Sequence, residues 1–248
     1  MRIIFPELDN PIIKEALAEC PEVEAIRASS IQAGTEMLLS DEADSMIAGI
    51  EYPTRDFALA CKHANLIKNK YFTSSFIFTK GNQCFILADG GICKNPDVEM
   101  MTEIVLQTYQ TALKTLKDTP RLAMLSFSTF GSGGKDESID LIHEVLDKIH
   151  AEHPEILIDG EMQLDVAISP RVAAKKAPNS EVAGRANVLI CPDLNSGNIL
   201  YKGLEQLGGW TVAGPIMQGF IKPISDLSRG SSVEDVVSTI KTIIKLGA

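Results

Sequence analysis

Apolar residues fall in short β-branched runs that alternate with stretches of helical spacing from end to end of the chain. That texture predicts an α/β fold with a mostly parallel sheet. The runs predict strands at Ile3–Phe5, Ala25–Ala28, Ser45–Ile50, Phe72–Phe78, Gln83–Ala88, Leu122–Phe127, Ile156–Ile158 and Val188–Ile190. The helical spacing predicts helices at Pro11–Glu19, Ile31–Leu39, Arg55–Asn69, Asp97–Leu116, Glu137–His150, Gly197–Leu207 and Val233–Leu246. Thr79-Lys-Gly-Asn-Gln83 reads as a hairpin turn, because Gly and Asn tolerate positive φ, so one strand is expected to run antiparallel.

With 248 residues, 45% of them hydrophobic, the chain can bury a large core in one large domain or two small ones. The longest apolar runs, Ala43–Ile50 and Val188–Cys191, are too short or too interrupted to span a bilayer. The opening MRIIFPELDN lacks a signal-peptide core, so the expected location is the cytoplasm, with no membrane partner. A net charge of −10 argues against nucleic acid as a partner, since displacing its counterions needs a basic surface. Cys20, Cys61, Cys84, Cys93 and Cys191 form no C-x-x-C pair, which suggests neither a disulfide framework nor a zinc site and leaves them reduced and mostly buried. His143 and His150 share a helix face with His153 just beyond, a pattern expected of a surface stripe rather than of metal ligands.

Several stretches have the residue types that chemistry needs. Leu122–Lys135 runs from an apolar strand into the loop Ser-Phe-Ser-Thr-Phe-Gly-Ser-Gly-Gly, whose small residues either turn backbone N–H groups toward an anion or merely make a flexible connection. In Ile158–Ala167 the residues Asp159, Gln163 and Asp165 lie near a strand end, as ligand groups or as turn and surface positions. Lys175, Lys176 and Arg185 make a basic, turn-rich segment in an acidic chain. Near the C-terminus, Asp226-Leu-Ser-Arg-Gly-Ser-Ser-Val-Glu-Asp235 poses a choice. Ser232 and Asp235 match a helix capping box, while Ser228 and Arg229 just upstream could share an anion with the same helix start.

Taken together, GIEYPTRD near Gly49, LSFSTFGSGG (125–134), IDGEMQLDVA (158–167), AAKKAPNSEVAGRANVLICPDLNSGNILYK (173–202) and GPIMQGFIKPISDLSRGSSVEDVV (214–237) closely resemble the phosphate acetyltransferases of the phosphate acetyl/butyryl transferase family. The blocks keep the family's order over almost the whole chain from Asp44 onward, and RIIFPELDNPIIKEAL resembles its opening strand and helix. The resemblance implies two α/β domains with mainly parallel sheets and a cleft between them, related in fold to isocitrate dehydrogenase. It implies a split at 1–70 with 217–248 against 71–216, and a homodimer. The implied reaction is acetyl transfer between coenzyme A and inorganic phosphate, with acetyl phosphate as the other substrate and no tightly bound cofactor. Asp235 would take the thiol proton, Ser228 would steady the oxyanion and Arg229 would hold the phosphoryl group. Ser128, Thr129, Gly131, Ser132, Gly133, Lys202 and Arg55 would bind the coenzyme or its phosphates.

The chain departs from the family in three ways. The segment between the first helix and Asp44 is shorter than in the full-length enzymes, Leu59 stands where an arginine is usual, and Gln206 stands where the family has an arginine linked to coenzyme A. Two rival readings follow: a butyryltransferase, or a non-catalytic protein that senses coenzyme A or an acyl phosphate.

Overall fold

The computed structural model describes residues 1–247. The chain opens with β1 (Arg2–Phe5), α1 (Pro11–Ala18), β2 (Glu24–Arg27), α2 (Ile31–Leu39), β3 (Ser45–Ala48) and α3 (Thr54–His63). It continues with β4 (Thr73–Lys80), β5 (Gln83–Ala88), α4 (Val98–Thr115), β6 (Leu122–Leu125), α5 (Glu137–Glu152), β7 (Ile158–Met162), α6 (Leu164–Ile168) and α7 (Pro170–Lys176). The last elements are β8 (Val188–Ile190), α8 (Leu194–Gln206), β9 (Thr211–Gln218), β10 (Ile224–Asp226) and α9 (Val233–Gly247). They group into two compact units, Met1–Phe72 with Trp210 onward, and Thr73–Gly209.

In the first unit the strand order is β2-β1-β3-β10-β9, parallel except that β9 runs antiparallel to β10. The inner strands are apolar and buried: Ile3, Ile4, Phe5, Met46 and Ile47 are fully enclosed, as expected when helices cover both faces. The edge strand β2 instead shows Glu24 and Arg27 to water, which protects its free backbone edge from pairing. Asn10 and Ser30 start α1 and α2 by accepting the N–H groups of Ile12 and Ala33. Helix α3 ends at His63 rather than reaching Asn69, because Asn65 takes a left-handed φ of 54°.

In the second unit the order is β4-β5-β8-β6-β7, with the expected β4–β5 hairpin antiparallel and the other pairings parallel. Strand β7 starts later than the sequence predicts and continues through Gly160 to a buried Glu161 and Met162. Asp97, Asp136 and Asp193 cap α4, α5 and α8 through backbone N–H groups. Among the described residues no helix is long and apolar enough to cross a membrane, and no cluster of His, Cys, Asp or Glu is built to hold a metal.

Candidate active site

In the first unit the site residues stand on segments that leave the C-terminal ends of parallel strands. Just after β1, the buried Glu7 accepts the N–H groups of Gly49 (2.9 Å), Ile50 (3.3 Å) and Glu51 (2.5 Å), which fixes the loop from β3 to α3. Gly49 has φ +118°, and a Cβ there would lie 2.5 Å from the Leu227 carbonyl oxygen, so only glycine suits this join. The loop delivers Arg55 to the exposed first turn of α3, where a cation gains nothing from the helix dipole and where it has no hydrogen bond or ion pair within the described residues. Leu59, one turn on, is 40% exposed and supplies no charge in its place.

The second segment leaves β10 through Leu227 into a turn closed by the Ser231 N–H on the Ser228 carbonyl. Ser228 Oγ accepts the Gly230 N–H at 3.3 Å, while Arg229 is exposed and has no intramolecular partner among the described residues. Asp235 then opens α9 as the sequence predicts of a capping box. Its Oδ2 accepts the N–H (2.9 Å) and hydroxyl (2.7 Å) of Ser232, and its own N–H donates back to Ser232 Oγ at 3.2 Å. Oδ1 also accepts the Val212 N–H at 2.8 Å, so the carboxylate ties α9 to β9. With about four acceptor sites on a carboxylate, these donors leave about one open.

In the second unit the Ser/Gly loop spends its backbone donors on itself. The N–H of Ser128 goes to Ser126 Oγ, of Thr129 to Ser132 Oγ, of Phe130 to the Glu161 carbonyl, of Gly131 to the Glu161 carboxylate and of Gly133 to Ser128 Oγ. Ser132 and Gly134 donate within the loop to the carbonyls of Thr129 and Gly131. The anion-cradle reading needs free N–H groups, and in this conformation the loop offers none from Ser128 to Gly134. What it presents outward is aromatic: Phe127 is 60% and Phe130 46% exposed. Phe130 also lines a cavity of about 390 Å³ with Asp159, Lys176, Asn179 and Ser180.

Sequence reasoning missed the organiser of this loop. Glu161 is fully buried and accepts from Ser128 Oγ (2.7 Å), Gly131 N (2.8 Å) and His143 Nε2 (2.8 Å). Burial alone would raise its pKa, but these donors together hold it below the ordinary carboxylate value. The signal available was weak, since β7 reads Ile-Asp-Gly-Glu-Met and its two acids differ only in burial, Glu161 being fully enclosed and Asp159 partly open. His143 corrects the surface-stripe expectation, since its ring is half-exposed and reaches inward to Glu161. Asp159 instead accepts from Ser180 and the Gly160 N–H, and Gln163 and Asp165 engage Lys176 at 2.8 and 3.7 Å.

Lys202, on α8, lies 2.9 Å from Glu205 and 2.7 Å from the Tyr201 hydroxyl. Burial lowers its pKa, but these two partners outweigh it and hold the ammonium charged. Gln206 is exposed and donates to the same Glu205 carboxylate. Burial pushes the thiols of Cys61 and Cys191 up to about 12 and that of Cys93 up as well, so none of these offers a thiolate nucleophile.

A family model described as phosphate acetyl/butaryl transferase matches residues 2–244. The phosphate acetyltransferase of Helicobacter pylori is 37% identical over 223 residues, which is 88% of this chain and 42% of that one. The phosphate acetyltransferase of Bacillus subtilis is 40% identical over 206 residues, 82% of this chain and 63% of that one. The chain therefore spans between 42% and 63% of the length of these two relatives. A solved phosphotransacetylase from Streptococcus pyogenes superposes with a TM-score of 0.86 at 28% identity, covering all of this chain and 93% of that one.

Proposed function

Because the chain belongs to the phosphate acetyl/butyryl transferase family, we propose that it transfers an acetyl group reversibly between coenzyme A and inorganic phosphate. The observation that carries this reading is the Ser228–Arg229 turn, with its exposed guanidinium unpaired among the described residues, held directly before a helix whose first turn fixes Asp235. A planar guanidinium suits the phosphoryl oxygens of acetyl phosphate in a bidentate grip. Asp235 takes the thiol proton at its remaining acceptor site, and the thiolate attacks the acetyl carbonyl carbon. Ser228 donates to the oxyanion of the tetrahedral intermediate. As the C–S bond stands and the C–O bond to phosphorus's oxygen breaks, phosphate leaves on Arg229 with the proton that Asp235 had taken.

Arg55 and Lys202 supply further positive charge for the phosphates of coenzyme A, and the loop bearing Ser128, Thr129, Gly131, Ser132 and Gly133 contributes through the outward rings of Phe127 and Phe130 and the exposed Ser132 rather than through its N–H groups. The same reading makes the chain a cytoplasmic homodimer of acetate metabolism that uses coenzyme A as a diffusible substrate. The three donors on Asp235 favour one rival, in which this carboxylate only clamps the turn and the chain binds its ligands without turnover. Release of coenzyme A from acetyl-coenzyme A on adding phosphate or arsenate, followed with a thiol reagent, tests both. Turnover that Asp235→Asn lowers by about 100-fold or more supports the enzyme. Coenzyme A binding without turnover above that variant supports the rival, and faster turnover of butyryl-coenzyme A moves the substrate to the longer acyl chain.

A further inference from the structure

The roles above leave one buried acid of the first unit unused. Asp226 ends β10 and is 1% exposed, and among the described residues neither carboxyl oxygen has a hydrogen-bond partner. A buried ionised carboxylate in that condition is costly enough that the group keeps its proton instead. Its surroundings push the same way. Burial raises its pKa most, the Thr54 hydroxyl, close by but outside hydrogen-bonding geometry, lowers it somewhat, and the Glu7 carboxylate raises it again, to about 7. On α3, the buried Cys61 thiol also faces it. The neighbouring strands β3 and β9 bring no titratable side chain, and Asp235 of α9 is turned to Val212 and Ser232.

Asp226 also stands where two site segments meet. A Cβ at Gly49 would collide with its carboxyl group and lie 2.6 Å from the Leu227 nitrogen, whose N–H donates to the Ala48 carbonyl at 2.5 Å. Gly49 leads to Arg55, and Leu227 leads to Ser228 and Arg229.

We propose that Asp226 is a positioning residue whose proton keeps the Arg55 segment and the Ser228–Arg229 turn in register. While neutral it lets Gly49 pack against β10. Once ionised beside Glu7 it must seek donors or water, which loosens the join and weakens the grip of the two arginines on phosphate. This rests on the anion-binding role proposed for Arg55 and Arg229, and not on turnover.

Titration calorimetry with inorganic phosphate on the full chain tests it. Asp226→Asn copies the shape of the neutral carboxyl and never ionises. Phosphate's own titration is common to both proteins, so the ratio of wild-type to variant Kd is what is read. The ratio is expected near 1 at about pH 6 and to climb roughly fivefold or more by about pH 8. A ratio that stays constant or falls with pH overturns the inference, even if the protein turns acetyl-coenzyme A over. A climbing ratio upholds it, even if turnover is absent and the proposed reaction fails. Should Asp226→Asn not fold, Asp226→Ser is the second neutral variant, read in the same way.

Discussion

A carboxylate taken out of water costs several kcal/mol unless donors replace its hydration. Glu7 and Asp89 meet that condition by gathering several backbone N–H groups, and Glu161 by one N–H, a hydroxyl and an imidazole. Asp89 takes the N–H groups of Ser74, Gly91 and Ile92, as Glu7 takes those of residues 49–51. For Glu161 the balance has a pH signature. Its folded pKa lies below the ordinary 4.5, so its contribution is fully present above that value and is lost as pH falls through the folded pKa. Glu161→Gln swaps an acceptor for a donor among Ser128, Gly131 and His143 and is expected to cost about 2–4 kcal/mol near neutral pH. Urea unfolding at about pH 7 and about pH 3 checks this. The gap between variant and wild type should narrow in acid, and an equal gap at both would show that the carboxylate's charge is not what the loop uses.

At the scale of elements, β9 shows how a helix can finish a strand. The Gly214 N–H donates to Thr239 Oγ1 at 3.0 Å, and that hydroxyl donates to the Asp235 carbonyl at 2.8 Å, one turn below the bond from Val212 to Asp235. Thr239→Val keeps the buried shape and removes the acceptor. It is expected to destabilise the fold by about 1–3 kcal/mol, the cost of an orphaned N–H. Denaturant unfolding reads the loss, and a change within error of zero would mean that Gly214 finds another partner. This pairing was not legible in the sequence. Strand β9 contains Gly214-Pro215, which reads as a breaker, and β10 is three residues long, too short for any period to show. The long helices were legible because their apolar faces repeat, and the capping box at Ser232 because it is local. The Ser/Gly loop shows the limit of composition as a guide. Its small residues fit an anion cradle and an internally bonded loop equally well, and Glu161, 30 residues on from Gly131, decides between them.

For the whole molecule, two effects push stability down as pH rises above mildly acidic values. Asp226 goes from 3.8 to about 7 on folding, so the native state holds a proton that the unfolded chain releases. Stability from this source is fully present below about pH 4 and is lost by about pH 7, an effect of up to roughly 4 kcal/mol. The second effect is collective. The chain passes from neutral at its pI of about 4.9 to a net charge of −10 at pH 7, and self-repulsion grows with it. In the opposite sense, Glu161 and Asp44, both held low, lose their contributions in acid, Asp44 chiefly through Arg2. Unfolding free energy is therefore expected to peak near pH 5 and to decline toward pH 8, a range of about 3 pH units within which salt separates the two causes. Roughly 0.5 M potassium chloride screens the exposed charges but reaches the buried Asp226 far less, so it should restore only part of the decline. Urea unfolding across that range with and without salt measures both parts. Complete restoration by salt would assign the whole decline to surface repulsion, and a flat profile would mean that Asp226 finds a partner on ionising.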